Sequence, residues 1–336
     1  MKMSLEEFNR NRKMIEETVR DKYLYFLGAG ASANSLPLVS QFSDSLGEFR
    51  KFLKSTTIDE TGIKSMNGMS VKQHLIEKVA WLIEMLKYHA SIDTYAKKLY
   101  FKNDFDNLRI LKSVLSCFFV GIQSINPVDY RYDSFFASII KKEGIDGIRI
   151  PDNIKFLSWN YDLQIEKAYY GYCDDKDKVI KDITLSKENR IYRLNGYCGT
   201  TQDGHIGKEF TETFNLKDKM SKIVIELYAE YLQKGNTPNI KFAWEINENY
   251  FGNNIHKITD DIKTLIIIGY SFPFFNREID KRIFQTLEGV SKIYIQTPSD
   301  TFIGIKERLA TINRNLPEPK WIEDVTQFYI PFEYNL

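Results

Sequence analysis

The sequence predicts an α/β protein built on a doubly wound, mainly parallel sheet, and three observations carry that expectation. Short apolar runs recur along the chain, strongest at Thr264-Leu-Ile-Ile-Ile-Gly269, as strands buried on both faces require. Between these runs lie stretches whose apolar residues fall at steps of three and four, the period of a helix. Several runs end in glycine or a small polar residue where a helical pattern begins, so strands alternate with crossover helices.

The totals frame this reading. A chain of 336 residues holds one large domain or two modest ones at roughly 100 to 200 residues each. The pattern favours a single domain over 1–336 carrying a helical insertion subdomain at 45–145. Hydrophobic residues make up 43% and aromatics 14%, a composition able to build a core. Lys plus Arg number 46 against 45 Asp plus Glu, for a net charge of +1, so no positive surplus drives nucleic-acid binding. Cys117, Cys173 and Cys198 are widely spaced, which writes neither a zinc ribbon nor a disulfide framework and fits a reducing cytoplasm. His74, His89 and His256 have no metal-ligand spacing, so no metal is expected. No run approaches about 18 apolar residues, and Met1–Arg20 is charged and amphipathic, so no membrane span is expected.

Taken in order, residues 4–19 suit a helix, and Tyr23-Leu-Tyr-Phe-Leu27 a buried strand closed by Gly28. Phe42, Leu46, Phe49 and Leu53 mark a helix, and 56–70, with Gly62 and Gly68, a loop. Helical patterns follow at Val71–His89, at Ser91–Phe101 behind a Ser cap, and at Asn107–Ile122. This is the insertion expected to lie over the glycine turn. Strand character returns at Ile154–Ser158, leading through Trp159-Asn-Tyr-Asp162 into a helix with Ile165, Ala168 and Tyr169. After a charged loop at 174–187, Ile191-Tyr-Arg-Leu-Asn195-Gly196 gives a third strand, and 215–233 a helix. The run at 264–269 ends in Gly269-Tyr-Ser271-Phe; Ile293–Gln296 is a further strand and Phe302–Leu309 the helix after it.

The glycine pair of Gly28-Ala-Gly30-Ala-Ser32-Ala33 permits a tight turn and a close backbone approach, and free N–H groups at a helix start attract an anion. The same glycines also suit a plain strand-to-helix turn. A dinucleotide-binding dehydrogenase would place an acidic residue at the end of a second strand about 20 positions on; here Glu48 falls inside a helical pattern, which counts against that reading. Asn160 and Asp162, at a strand's carboxyl end, stand where open α/β sheets bind ligands, and they also suit helix capping.

Four strand ends in order, Gly28-Ala-Gly-Ala-Ser32, Ser158-Trp-Asn-Tyr-Asp162, Leu194-Asn-Gly196 and Gly269-Tyr-Ser271-Phe272, resemble the sirtuin superfamily, matching its GAG-x-S, T-x-N-x-D, H-G and G-x-S segments over residues 22 to about 297. The likeness is nearest to the bacterial sirtuin-like NAD-hydrolase effectors of antiphage defence, since zinc cysteines are missing. It implies a Rossmann-like sheet and NAD as the substrate, with no metal. By the same resemblance the loop Gly28, Ala29, Gly30, Ala31 and Ser32 holds the pyrophosphate, Asn160 orients the nicotinamide ribose or a water, and Asp162 binds the carboxamide. Gly269 would also bind the cofactor, and Ser271 and Gln296 would face the adenosine half. It further implies a homo-oligomer working with a separate sensor, an ATPase, Argonaute-like or nucleotide-processing protein.

Two departures shape the chemistry. The family's D-F-R after the first loop is replaced by Leu36-Pro-Leu-Val-Ser-Gln-Phe42, and its catalytic His by Asn195. An imidazole takes a proton from a ribose hydroxyl near neutral pH and an amide does not; a positioned base is worth roughly 10²–10⁴-fold. Deacylation should suffer, while NAD⁺ hydrolysis by a water held between Asn160 and Asn195 asks less. A nucleotide-binding subunit with no chemistry of its own fits the same residues. His205 and Cys198, close after Asn195, are the side chains that would reach back toward it; a lone loop His is more often a solvated group.

Overall fold

The computed structural model describes residues 21–58, 60, 63, 68–143, 147–173, 191–199, 201–202, 205–206, 220–233, 236–246 and 248–334. The helix expected at 4–19 and the charged loop at 174–187 lie outside them.

The first strand, β1 (Lys22–Leu27), is buried along almost its whole length, and its side chains divide by the period of two. Tyr23, Tyr25 and Leu27 enter one apolar cluster while Leu24 and Phe26 enter another on the opposite face. A strand covered on both sides must be apolar at every position, which is why this one reads as a run and not as an alternation. Five helices follow: α1 (Phe42–Ser55), α2 (Val71–Leu86), α3 (Ile92–Phe101), α4 (Phe105–Ile125) and α5 (Tyr130–Ile139). Their buried faces, Leu46, Leu75, Leu111 and Phe118 among them, join the cluster that holds Tyr25. Helix α4 is the one described helix long and apolar enough to cross a membrane by composition, and most of it is packed inside this core.

A two-stranded antiparallel ribbon, β2 (Lys141–Glu143) and β3 (Gly147–Arg149), precedes the return to the sheet at β4 (Ile154–Ser158). Helix α6 (Gln164–Tyr170) leads toward β5 (Ile191–Arg193), after which β6 (Thr201–Gln202) and β7 (His205–Ile206) pair as a small ribbon. Then come α7 (Met220–Leu232), α8 (Glu248–Thr259), β8 (Ile262–Ile268), α9 (Arg277–Gln285), β9 (Lys292–Gln296), α10 (Ser299–Ile312) and β10 (Lys320–Ile322). The six-stranded sheet runs β10-β9-β8-β1-β4-β5 with every pairing parallel. The fold is therefore a doubly wound α/β sheet of Rossmann-like form.

The order fixes where a ligand can sit. From β1 the chain steps outward to β4 and β5; it then returns to β8, on β1's other side, and steps the opposite way to β9 and β10. Helices α8, α9 and α10 cover the second face, through Ile255, Ile283 and Leu309. The crevice at the carboxyl ends of β1 and β8 is thus a topological switch point, where loops diverge to opposite faces and leave a gap.

Candidate active site at the switch point

Two turns meet at this gap, and glycine is required in both. The N–H of Gly28 continues the ladder to the Ile268 carbonyl (3.0 Å), and the N–H of Gly30 donates to the Gly269 carbonyl (2.9 Å). Gly269 takes φ of +61°, and a Cβ there would lie 2.3 Å from the Gly30 carbonyl carbon. A Cβ on Gly30 would in turn stand 2.7 Å from the Gly269 Cα. This corrects the expectation for Gly30: its missing Cβ makes room for the neighbouring turn, and its N–H is spent on that turn, not offered to an anion. Ala31 N–H is likewise used, by the Gly28 carbonyl at 2.9 Å. The segment after Gly28 is a single 3₁₀ turn over Ala29–Ser32, and the first full helix, α1, starts only at Phe42. The expected phosphate cradle is reduced to exposed Ala29 and the Ser32 side chain.

A cleft of about 720 Å³ opens over these turns, within the range of small-molecule sites. It brings together Ala29 and Ser32 after β1, Asn160 and Asp162 after β4, Asn195 after β5, and Gly269 and Ser271 after β8. Gly28, Gly30 and Ala31 do not line it. Gln296 does not reach it: the side-chain amide donates to the carbonyls of Asp324 and Gln327 and accepts from Tyr329 N–H, tying β9 to the C-terminal segment. Cys198 is fully buried outside the cleft, where burial pushes its thiol up to about 12 and Gln123 Nε2 donates to its sulfur. The His205 side chain falls outside the described residues.

Each polar group in the cleft is held from behind. Asn160 Nδ2 donates to the Gly28 carbonyl (2.9 Å) and its backbone N–H to Ser158 Oγ (3.1 Å), so the β4 loop is pinned to the β1 turn. Ser32 Oγ lies 3.2 Å from the Tyr132 hydroxyl. Asn195 Nδ2 donates to the Trp159 carbonyl at 3.0 Å, while its Oδ1 is buried with no hydrogen-bond partner. A buried acceptor left unpaired costs about 1–3 kcal/mol, so this amide is held under some strain by its bond to Trp159. Burial raises the Asp162 carboxyl above its ordinary range, opposed by the Arg193 charge and the Gln164 N–H.

Two arginines with buried side chains and three buried carboxyls, none of them apparent from the motifs, build the scaffold. Arg193 forms a bidentate pair with Glu166 and donates to the carbonyls of Asp162 (2.6 Å) and Asn160 (3.4 Å). Arg131 pairs with Asp129 (2.6 Å) and donates to the carbonyls of Gly30 and Ala31 (3.0 and 3.2 Å). Burial would push Asp129 up, but the Arg131 guanidinium outweighs it and holds the carboxyl below the usual range. Beneath the cleft floor, Asp280 accepts from Trp159 Nε1 (3.2 Å) and Tyr270 OH (2.8 Å), and the two rings lie nearly parallel at 6.1 Å. The opposite wall is mostly helical and partly apolar, with Phe42, Leu115, Phe119 and Asp93, and with His89 from the link between α2 and α3. Its contribution has no motif in the sequence, because these residues are set by helix packing and not by a strand end.

No protein-family model matches this chain, and no curated protein matches it.

Proposed function

We propose that this chain is an NAD⁺ glycohydrolase, releasing nicotinamide and ADP-ribose. The observation that carries the reading is the convergence of Asn160, Asp162 and Asn195 with the β1 and β8 turns on one cleft at the switch point. Cleavage of the nicotinamide–ribose bond sends the bonding pair to the ring nitrogen, so nicotinamide leaves neutral. The carbocation-like ribose is then captured by water, and one proton is released to solvent. Asn160, fixed by Gly28, is suited to hold the ribose face, and Asn195, which lines the same cleft, to meet that water or a ribose hydroxyl. Asp162, its carboxyl raised by burial, suits the carboxamide, which needs a partner able to accept or donate at close range. The resemblance extends the proposal to an NAD-depleting effector of antiphage defence, homo-oligomeric and switched on by a separate sensor.

A second reading, binding of NAD or a related nucleotide without cleavage, is favoured by the amide at Asn195, which takes no proton. Purified protein, alone and with the products of neighbouring genes, is incubated with NAD⁺ and nicotinamide is followed by chromatography. The expected result is release that Asn160→Ala abolishes. Release that survives Asn160→Ala overturns the assignment, and tight NAD binding with no release in any assembly selects the second reading.

A further inference from the structure

The wall facing the strand-end loops carries an ionisable group that the family-like motifs do not include. Asp93 stands in the first turn of α3, half-buried, and lines the same cleft as Asn160 and Asn195. An acidic residue in a first helical turn is ordinarily explained by the helix dipole, and here Ser91 already caps the helix by accepting from Thr94 N–H. The lysine one turn on, Lys97, is the natural i,i+4 partner for a surface pair. It turns away instead, placing its ammonium 4.6 Å from the Trp244 ring centre and 5.0 Å from that of Phe101, with Glu245 as its charged neighbour. Among the described residues no Lys, Arg or His lies within ion-pair distance of Asp93. The carboxylate acts electrostatically on Tyr161 and Tyr270, the residues beside Asn160 and Gly269 on the sheet side of the cleft. The carboxylate accepts from its own backbone N–H and has no cation beside it among the described residues, and an anion so placed on the lining of a substrate-sized cleft is the arrangement a proton acceptor needs.

We infer that Asp93 is a catalytic carboxylate, the general base that the amide at Asn195 cannot be. This rests on the hydrolase reading. As the ribose–nicotinamide bond breaks and its electron pair passes to the pyridine nitrogen, a water oxygen bonds to the ribose carbon. The water's proton passes to the Asp93 carboxylate and from there to solvent, which restores the ionised form. Desolvation raises the Asp93 carboxyl above its ordinary value, opposed by its own backbone N–H, which makes the carboxylate a stronger base than a solvated one. The groups that share its surroundings are Tyr161, Tyr270, Asp162 and His89 in the cleft, with Lys97 and Glu245 behind the helix. Of these, Asp162 also titrates as a raised carboxyl.

The test uses the full chain in whichever assembly releases nicotinamide, with NAD binding measured by calorimetry on the same samples. Asp93→Asn should lower kcat by about 10²–10⁴-fold with the NAD dissociation constant within about threefold of the parent. Asp93→Ala should be similarly slow and partly restored by added formate, a small carboxylate able to enter the vacated space. Asp93→Glu should retain more activity than either. An Asp93→Asn kcat within threefold of the parent overturns the base and leaves the hydrolase reading standing. Loss of NAD binding by a folded Asp93→Asn, or no formate rescue, assigns Asp93 to binding and overturns it as well. No nicotinamide release by the parent chain in any assembly overturns the hydrolase reading and the base together.

Discussion

Asp280 is the group whose titration should be easiest to see. It is fully buried, its partners are the neutral donors Trp159 and Tyr270, and burial pushes its carboxyl up to about 8. The unfolded chain releases this proton near the ordinary Asp value of about 4. Between those two values the folded protein keeps a proton that the unfolded chain has lost, so raising the pH favours unfolding. The slope is about 1.4 kcal/mol per pH unit. The stability difference is complete above the folded value and absent below the unfolded one. From pH 5 to pH 8 the loss is on the order of 4 kcal/mol, a large share of the roughly 5–15 kcal/mol that stabilises a typical domain. Asp280→Asn removes the titration and keeps the contacts: the amide oxygen accepts from Trp159 Nε1 and the amide nitrogen donates to the Tyr270 hydroxyl. Urea unfolding of both proteins at pH 5, 6, 7 and 8 should give curves that diverge with pH, the Asn variant gaining on the parent. Parallel curves across that window would refute the assignment of a proton to Asp280 in the folded state.

Arg193→Met leaves Glu166 buried without its cation, and should cost about 3–5 kcal/mol in a denaturant titration. Much of that should return in the double variant with Glu166→Gln, where no charge is stranded. Gly269→Ala combines a left-handed backbone with a Cβ 2.3 Å from the Gly30 carbonyl carbon, and should lower the melting temperature sharply or abolish soluble expression. Gly47→Ala, in helix α1 with nothing within 4 Å of the added Cβ, should do the reverse and stabilise by about 0.5–1 kcal/mol.

The strands were the legible part of this chain because burial on both faces leaves no polar position to disguise them. β1, β4, β8 and β9 each read as apolar runs, and the polar residues that follow β1, β4, β5 and β8 do meet at one cleft. What the sequence could not show was which strand-end residues point outward. Gln296 closes β9 beside Ile268 of β8, one step before the Gly269 turn, yet the C-terminal segment folds over that edge and takes its amide. β10 itself is three residues, Lys320–Ile322, with two of them exposed, too short and too polar to stand out from a loop.

The glycines carry the deeper lesson. A glycine after a strand announces a close approach without naming the partner, and here the partner is a second glycine 239 positions away. Gly28 and Gly30 let the β1 turn press on the β8 turn, and Gly269 lets the β8 turn accept it, so the two loops behave as one rigid ridge beneath the cleft. Arg131 grips this ridge through the Gly30 and Ala31 carbonyls, and Arg193 grips the β4 loop through those of Asn160 and Asp162. Both arginines sit in segments that read as helix or strand, with no motif to mark them, because a guanidinium that collects carbonyls needs only the right place in space. On the sheet side of the cleft the side chains that would touch a substrate therefore lie near recognisable strand ends, whereas Asp93 on α3 and the groups that hold the loops in position are scattered through the chain. A substitution at Arg131 or Arg193 should accordingly disturb the cleft as deeply as one at Asn160, by a route that no strand-end motif reveals.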